Sequence, residues 1–88
     1  MDNRIREIDL CIEECCELIQ ALCKVKRCLI GDPTVRKNLE ACKMDLIEEI
    51  ADVSLTIDNI VNVFNISPEM VAELIELKRE RTRNLLEE

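Results

Sequence analysis

Two short runs hold the residues that could do chemistry. The first is Glu13-Glu14-Cys15-Cys16-Glu17 and the second is Glu48-Glu49-Ile50-Ala51-Asp52. On a helix, residues three apart project side by side, so Glu14 pairs with Glu17 and Glu49 with Asp52. Two such pairs on neighbouring helices bring four carboxylates to one point. Left alone they repel, and some are forced to keep their protons. A hard divalent cation resolves the conflict. Mg2+, with Mn2+ as a substitute, prefers oxygen ligands and retains waters that substrate phosphates can replace. The competing reading is a solvated helix face, because Glu is a good helix former and E-x-x-E is common there. The setting weighs against it. Each pair lies beside the apolar stripe of its segment, with Cys15, Cys16, Ile50 and Ala51 between the acids. Unpaired charge at the edge of a core is costly.

Composition narrows both the chemistry and the fold. The 88 residues include no His, so there is no imidazole base, no Ser-His or Cys-His pair and no His-ligated metal. One Gly, two Pro and a single aromatic, Phe64, are too few for many short strands and turns, and the fold expected is all-α. The net charge is −7, and it is unevenly spread. Residues 1–44 carry eight acids and eight bases, whereas residues 45–88 carry eleven acids and four bases. Such a chain suits cations better than nucleic acid, which is not an expected partner. No run of 18 apolar residues occurs, so no membrane span is expected. The charged N-terminus has no apolar signal segment, and a cytoplasmic location is expected. Six cysteines in a secreted chain would suggest a disulfide framework. Here five of them fall on one predicted helix, where they cannot cross-link different elements, and no Cys-x-x-Cys pair supports zinc. Reduced thiols used as small packing residues are the expectation.

Three helices must position the acids. Gly31-Asp32-Pro33 and Asn65-Ile66-Ser67-Pro68 punctuate the chain, with Asp32 and Ser67 suited to N-caps and the prolines to first helical positions. That leaves segments over roughly 3–30, 33–64 and 68–86, read as one domain spanning 1–88. In the first, Ile5, Ile8, Ile12, Cys15, Ile19 and Leu22 recur at spacings of three and four, with Leu10, Ala21 and Cys28 offering a second face. The second carries Leu39, Leu46, Ile50, Val53, Ile57, Ile60 and Phe64. The third has a weaker stripe of Val71, Leu74, Ile75, Lys78 and Leu85. Helices of about 28 residues run roughly 40 Å. They overhang a compact globule of this size, whose radius of gyration would be about 12 Å. The predicted architecture is therefore three main helices per chain in a bundle completed by oligomerisation, as a dimer or a tetramer.

At this point the chain resembles a known family. The run from Glu13 to Ala21, followed by Glu48-Glu49-Ile50-Ala51-Asp52-Val53, is similar to the E-x-x-E…E-x-x-D signature of MazG-like nucleotide pyrophosphohydrolases. The resemblance covers most of the chain. It implies an all-α nucleoside-triphosphate pyrophosphohydrolase, assembled as a dimer or a dimer of dimers. It also implies that Glu14, Glu17, Glu49 and Asp52 hold Mg2+ against a triphosphate. Water then attacks the α-phosphorus and yields the monophosphate and pyrophosphate. Glu13 or Glu48 is a candidate auxiliary base. Other members grip the base with aromatic side chains, and this chain has only Phe64 for that purpose. The related phosphoribosyl-ATP pyrophosphohydrolases fit less well, because Ser54-Leu55-Thr56 follows the second motif.

Two basic clusters have two readings each. Lys78, Arg79, Arg81 and Arg83 follow a stretch, residues 45–76, with no basic residue. They either complement the helix dipole and pair with Glu76, Glu80 and Glu87, or grip substrate phosphates, with Lys78 and Arg81 named for that role. Lys24, Lys26 and Arg27 are a second such group, with Lys24 and Arg27 the candidates. Asn59 and Asn62 read as structural amides or as readers of a base edge. The rival from another class is a non-enzymatic helical oligomer, an adaptor or inhibitory subunit whose acidic groove binds a basic partner. Metal dependence separates the two.

Overall fold

A computed structural model describes residues 2–87 of the chain. They form three helices, α1 (Asn3–Leu29), α2 (Leu39–Val63) and α3 (Pro68–Glu87), with no strand among the described residues. The Asp2 carboxylate caps α1, accepting from the Arg4 backbone N–H at 2.9 Å. Lys26 and Arg27 occupy the last turn, where the helix dipole favours cations. Gly31 ends α1 with a φ of 77°. The Asp32 N–H then reaches back to the Arg27 carbonyl at 2.9 Å and the Gly31 N–H to that of Cys28 at 3.2 Å, a Schellman closure.

The second helix starts later than the sequence predicts. Asp32 does not cap it and Pro33 is not its first residue. Instead the Asp32 carboxylate accepts from the Thr34 N–H at 2.8 Å, the Thr34 hydroxyl at 2.7 Å and the Arg27 Nε at 3.2 Å. With its oxygens committed to this turn, Asp32 has none left for a helix. The cap is Asn38, whose Oδ1 accepts from the Ala41 N–H at 2.8 Å. At the other end Asn65 adopts the left-handed conformation, with φ 51°, and closes α2 by the same Schellman pattern. Ser67 and Pro68 open α3 as expected, the Ser67 hydroxyl accepting from the Met70 N–H at 3.2 Å.

α1 and α2 pack against each other as an antiparallel hairpin, while α3 leaves it and every described residue of α3 is exposed. On α1 the packed seam is not the stripe of large aliphatics, whereas on α2 Leu46, Val53 and Ile60 of the predicted stripe lie in it and Leu39, Ile50, Ile57 and Phe64 are exposed. On α1 it runs through Glu7, Cys11, Glu14, Leu18, Ala21, Val25 and Cys28, all buried or half-buried and alternately four and three apart. On α2 the matching seam is Cys42, Leu46, Glu49, Val53, Thr56, Ile60 and Val63. This is the spacing of helices that meet at a shallow angle along their whole length. Cysteine and alanine side chains stand in the seam among the larger ones, and Thr56 satisfies its buried hydroxyl on the Val53 carbonyl at 2.8 Å. Thus Ala21 and Cys28 of the face predicted as secondary lie in the seam packed within the chain, whereas Leu10, predicted with them, is exposed. Ile5, Ile12 and Ile19 of the predicted main stripe are each more than half exposed. The cysteines divide accordingly. Cys42 is buried, Cys11, Cys15 and Cys28 are half-buried, and Cys16 and Cys23 are exposed, all of them free thiols.

Only Ala21, Cys42, Val53 and Thr56 are buried among the described residues, and of these Cys42 is the one fully enclosed. The radius of gyration is 16.8 Å and the principal extents are 47 × 45 × 15 Å. A compact chain of this length would have a radius near about 12 Å. The arrangement is open and flat, with many of its large apolar side chains exposed.

Candidate metal centre

The hairpin brings the two acidic runs together at its middle. Glu14 and Glu49 occupy seam positions, where the neighbouring turns place Leu18, Val53 and Cys11, and Glu17 stands one turn along the polar edge of α1. One carboxylate oxygen from each of Glu14, Glu17 and Glu49 lies within 4.8 Å of the other two. Asp52, exposed on α2, does not join that group of three, but its charge acts on both Glu14 and Glu49.

Oε2 of Glu14 and Oε2 of Glu49 are buried and have no hydrogen-bond partner. A carboxylate at a packed seam position loses hydration, and here nothing of the chain replaces it. Burial, before any neighbouring charge, raises the pKa of both glutamates above the ordinary value. Glu17 adds to this for each, by its charge and by a shared hydrogen bond, and Asp52 adds by its charge. All donors are oxygens, the set that suits Mg2+ or Mn2+ rather than a softer metal. The orphaned oxygens and the crowded carboxylates are the two features that a divalent cation would relieve, so the residues fit such an ion.

These shifts give a pH dependence with a definite sign. A raised folded pKa means that the folded chain binds more protons than the unfolded chain across the window above the ordinary glutamate value of about 4.3. Stability from these groups is complete below that value and is lost as pH rises through the folded values. Asp2, Asp32 and Asp45 act with the opposite sign: hydrogen bonds from Arg4, Thr34 and Lys37 respectively lower their pKa values. Their contribution is lost only as pH falls below about 3.9, outside that window. In chelator, the melting temperature of the parent chain should therefore fall relative to Glu49→Gln as pH rises from about 4 to 7. Parallel melting profiles for the two proteins would show that the cluster does not hold its protons.

A polar groove of about 300 Å3 opens beside the cluster, lined by Glu17, Gln20, Ala21, Lys24, Asp45, Glu48 and Glu49. Lys24 and Glu48 are thus neighbours of the site, whereas Glu13 does not line the groove. Arg27 is committed to the connecting loop through Asp32, at 3.2 Å, and Thr34, at 3.2 Å. Lys78 lies with Ile75, Arg79, Thr82 and Arg83 along a shallow face of α3, and Arg81 is exposed on the same helix. None of these bases is ion-paired with Glu76, Glu80 or Glu87 among the described residues. Asn59 is half-buried and Asn62 exposed, and Phe64 caps the end of α2 well away from the acids.

The sequence reading omitted Glu7. Its Oε2 is also buried without a partner, and it stands two turns before Glu14 on the same seam. Its signal was the seven-residue step from Glu7 to Glu14, hidden because the larger aliphatic stripe drew the helix face elsewhere. No helix is long and apolar enough to cross a membrane among the described residues. Set against known protein families, curated proteins and solved structures, the chain matches none of them.

Proposed function

We propose that the chain is a Mg2+-dependent nucleotide pyrophosphohydrolase of MazG-like type, acting on a nucleoside triphosphate as a homo-oligomer. One observation carries the proposal: two glutamates occupy packed seam positions, with buried oxygens that no group of the chain satisfies, and both lie within 4.8 Å of a third glutamate. Acidic residues displace apolar ones from a helix seam at a cost in stability, which a structural role does not explain. Glu14, Glu17 and Glu49 would hold the cation, with Asp52 beside them. When bound, the cation supplies the charge neutralisation and water polarisation that a site without histidine otherwise lacks.

The remaining work falls to residues around the groove. Lys24 offers the positive charge for the β- and γ-phosphates as they lie along it. Glu48, on the groove wall, is better placed than Glu13 to take the proton from the attacking water. The bond formed is from water oxygen to the α-phosphorus and the bond broken is from that phosphorus to the bridging oxygen of pyrophosphate. α3 leaves the hairpin, so phosphate contacts from Lys78 or Arg81 would have to come from α3 of another chain. A panel of ribo-, deoxyribo- and modified nucleoside triphosphates, assayed for pyrophosphate release with Mg2+, tests the proposal and identifies the base. Release from none of them, with no response to Mg2+, would leave the adaptor with an acidic groove.

A further inference from the structure

The six thiols take no part in the carboxylate chemistry, and only one pair of them stands a single helical turn apart. Cys11 and Cys15 are four residues apart on α1, and no other two of the six are three or four apart. At about 100° and 1.5 Å per residue, that step turns about 40° around the helix and rises about 6 Å along it. Both side chains are half-buried, whereas Cys16 and Cys23 are exposed. The pair is also in mutual reach. Burial raises the Cys15 pKa, and Cys11 raises it further by a hydrogen bond and by charge.

A disulfide is the first chemistry to weigh, and helix geometry opposes it. Cβ atoms one turn apart on a helix are about 5–6 Å from each other, whereas a disulfide needs about 3.8 Å. Closing that bond would distort α1 beside Glu14. A metal ion between the sulfurs bridges the same gap without strain, because two metal–sulfur bonds of about 2.3 Å span up to about 4.6 Å. The number of ligands then decides the ion. Structural zinc takes four ligands, and iron–sulfur clusters take four cysteines. Of the ions that thiolates favour, copper(I) is the one that two sulfurs satisfy.

We propose that Cys11 and Cys15 form a soft-metal site on α1 that binds copper(I) between two thiolates. Each sulfur forms one bond to copper and gives up its proton to solvent. The copper arrives and stays as copper(I), so no electron is transferred. Ile8, Ile12, Leu18 and Ile19 stand three or four residues from one sulfur or the other and surround the pair with apolar groups. Such a shell limits solvent access to a bound ion. Glu7 and Glu14 lie one turn from Cys11 on its other side, and their hard oxygens suit the divalent cation instead. α1 thus carries oxygen donors and sulfur donors side by side, and softness sorts their metals. Both sulfurs come from one helix, so the site needs neither α2 nor another chain. It stands independently of the pyrophosphohydrolase reading.

Anaerobic titration of the full, reduced chain with copper(I) held by bicinchoninate, a coloured competing chelator, tests the site. The parent should withdraw copper from the chelator in a first step of one ion per chain. Cys11→Ser and Cys15→Ser should each weaken that step by about 100-fold or more, since even residues that only orient a metal ligand are worth about 10–100-fold. Cys16→Ser and Cys23→Ser should leave it unchanged, and so should Glu49→Gln and millimolar Mg2+. No withdrawal by the parent, or an equal loss in the Cys16 or Cys23 variant, overturns the site. A loss in Glu49→Gln would place the copper at the carboxylates and overturns it as well.

If the Cys11 and Cys15 variants do not fold, the natural thiols of the parent serve instead. Alkylation by iodoacetamide, mapped by mass spectrometry, should become slower at Cys11 and Cys15 once copper(I) is bound. Cys16 and Cys23 should react as fast as in the metal-free chain. Protection of Cys16 or Cys23 in place of the pair would show copper scattered over surface thiols and counts against the site.

Discussion

Glu49→Gln should abolish most activity while leaving the metal-free protein as stable as the parent or more so. The two effects have one cause. Glu49 sits in the α1–α2 seam with a buried, unpartnered Oε2, and burial together with the nearby Glu17 and Asp52 charges raises its pKa. An amide of the same shape removes a like charge from the cluster and carries no penalty for losing a proton. Apo melting above pH 6 should therefore move upward or stay in place. As a cation ligand the residue is lost, and even partners that only orient such ligands are worth about 10–100-fold, so activity should drop by about 100-fold or more. An exposed glutamate of no function would leave both quantities unmoved. Circular dichroism melts in chelator and a pyrophosphate assay, run on parent and variant, read the two effects separately. Lost activity with a large fall in apo stability would mean that Glu49 supports the fold instead.

The response to Mg2+ should be nearly as large. A cation that binds only the folded chain stabilises it by RT ln(1 + [L]/Kd), about 2.7 kcal/mol at a hundred times Kd. In a domain of 60–100 residues each kcal/mol moves the melting temperature by about 4–8 °C. The parent should therefore melt about 10 °C or more higher in saturating Mg2+ than in chelator, whereas Glu14→Gln and Glu49→Gln should gain little. Cation binding needs the ionised form of Glu14 and Glu49, whose pKa values burial raises, so the metal effect should grow with pH across the same window in which apo stability falls. Equal melts for the parent with and without millimolar Mg2+ would remove the metal and leave an acidic groove without an ion.

The sequence made several of these features legible and concealed others for physical reasons. Three helices follow from the periodicity and from Ser67-Pro68, because a hydroxyl cap followed by proline has few other uses. The convergence of Glu14, Glu17 and Glu49 follows from the three-residue spacing within each pair and from an antiparallel hairpin, which any short connection enforces. The packed face was not legible. α1 carries two stripes of three-and-four spacing, and the one with larger side chains reads as the stronger. Yet the chain buries the stripe containing Cys11, Ala21 and Cys28 against α2 and leaves the isoleucines outside. Nothing local distinguishes a face packed within a chain from one that needs a neighbour. The start of α2 was missed because Asp32 can serve a helix or a turn, and Thr34 and Arg27 decided the matter by occupying its oxygens. The left-handed Asn65 was missed because Asn takes that conformation only at some helix ends. Asp52 was grouped with the other three acids by spacing and by the motif; it is exposed, and its charge reaches Glu14 and Glu49 although it is not among the three whose oxygens lie within 4.8 Å.

Phosphorus NMR of a turnover mixture tests the central claim most directly. The full chain is incubated with Mg2+ and whichever nucleoside triphosphate the panel shows to be consumed, and the products are followed as they appear. Nucleoside monophosphate and pyrophosphate should grow together in equal amounts. Both should be absent when chelator replaces Mg2+ or when Glu49→Gln replaces the parent. Inorganic phosphate with nucleoside diphosphate, or turnover unchanged in chelator, would contradict the account.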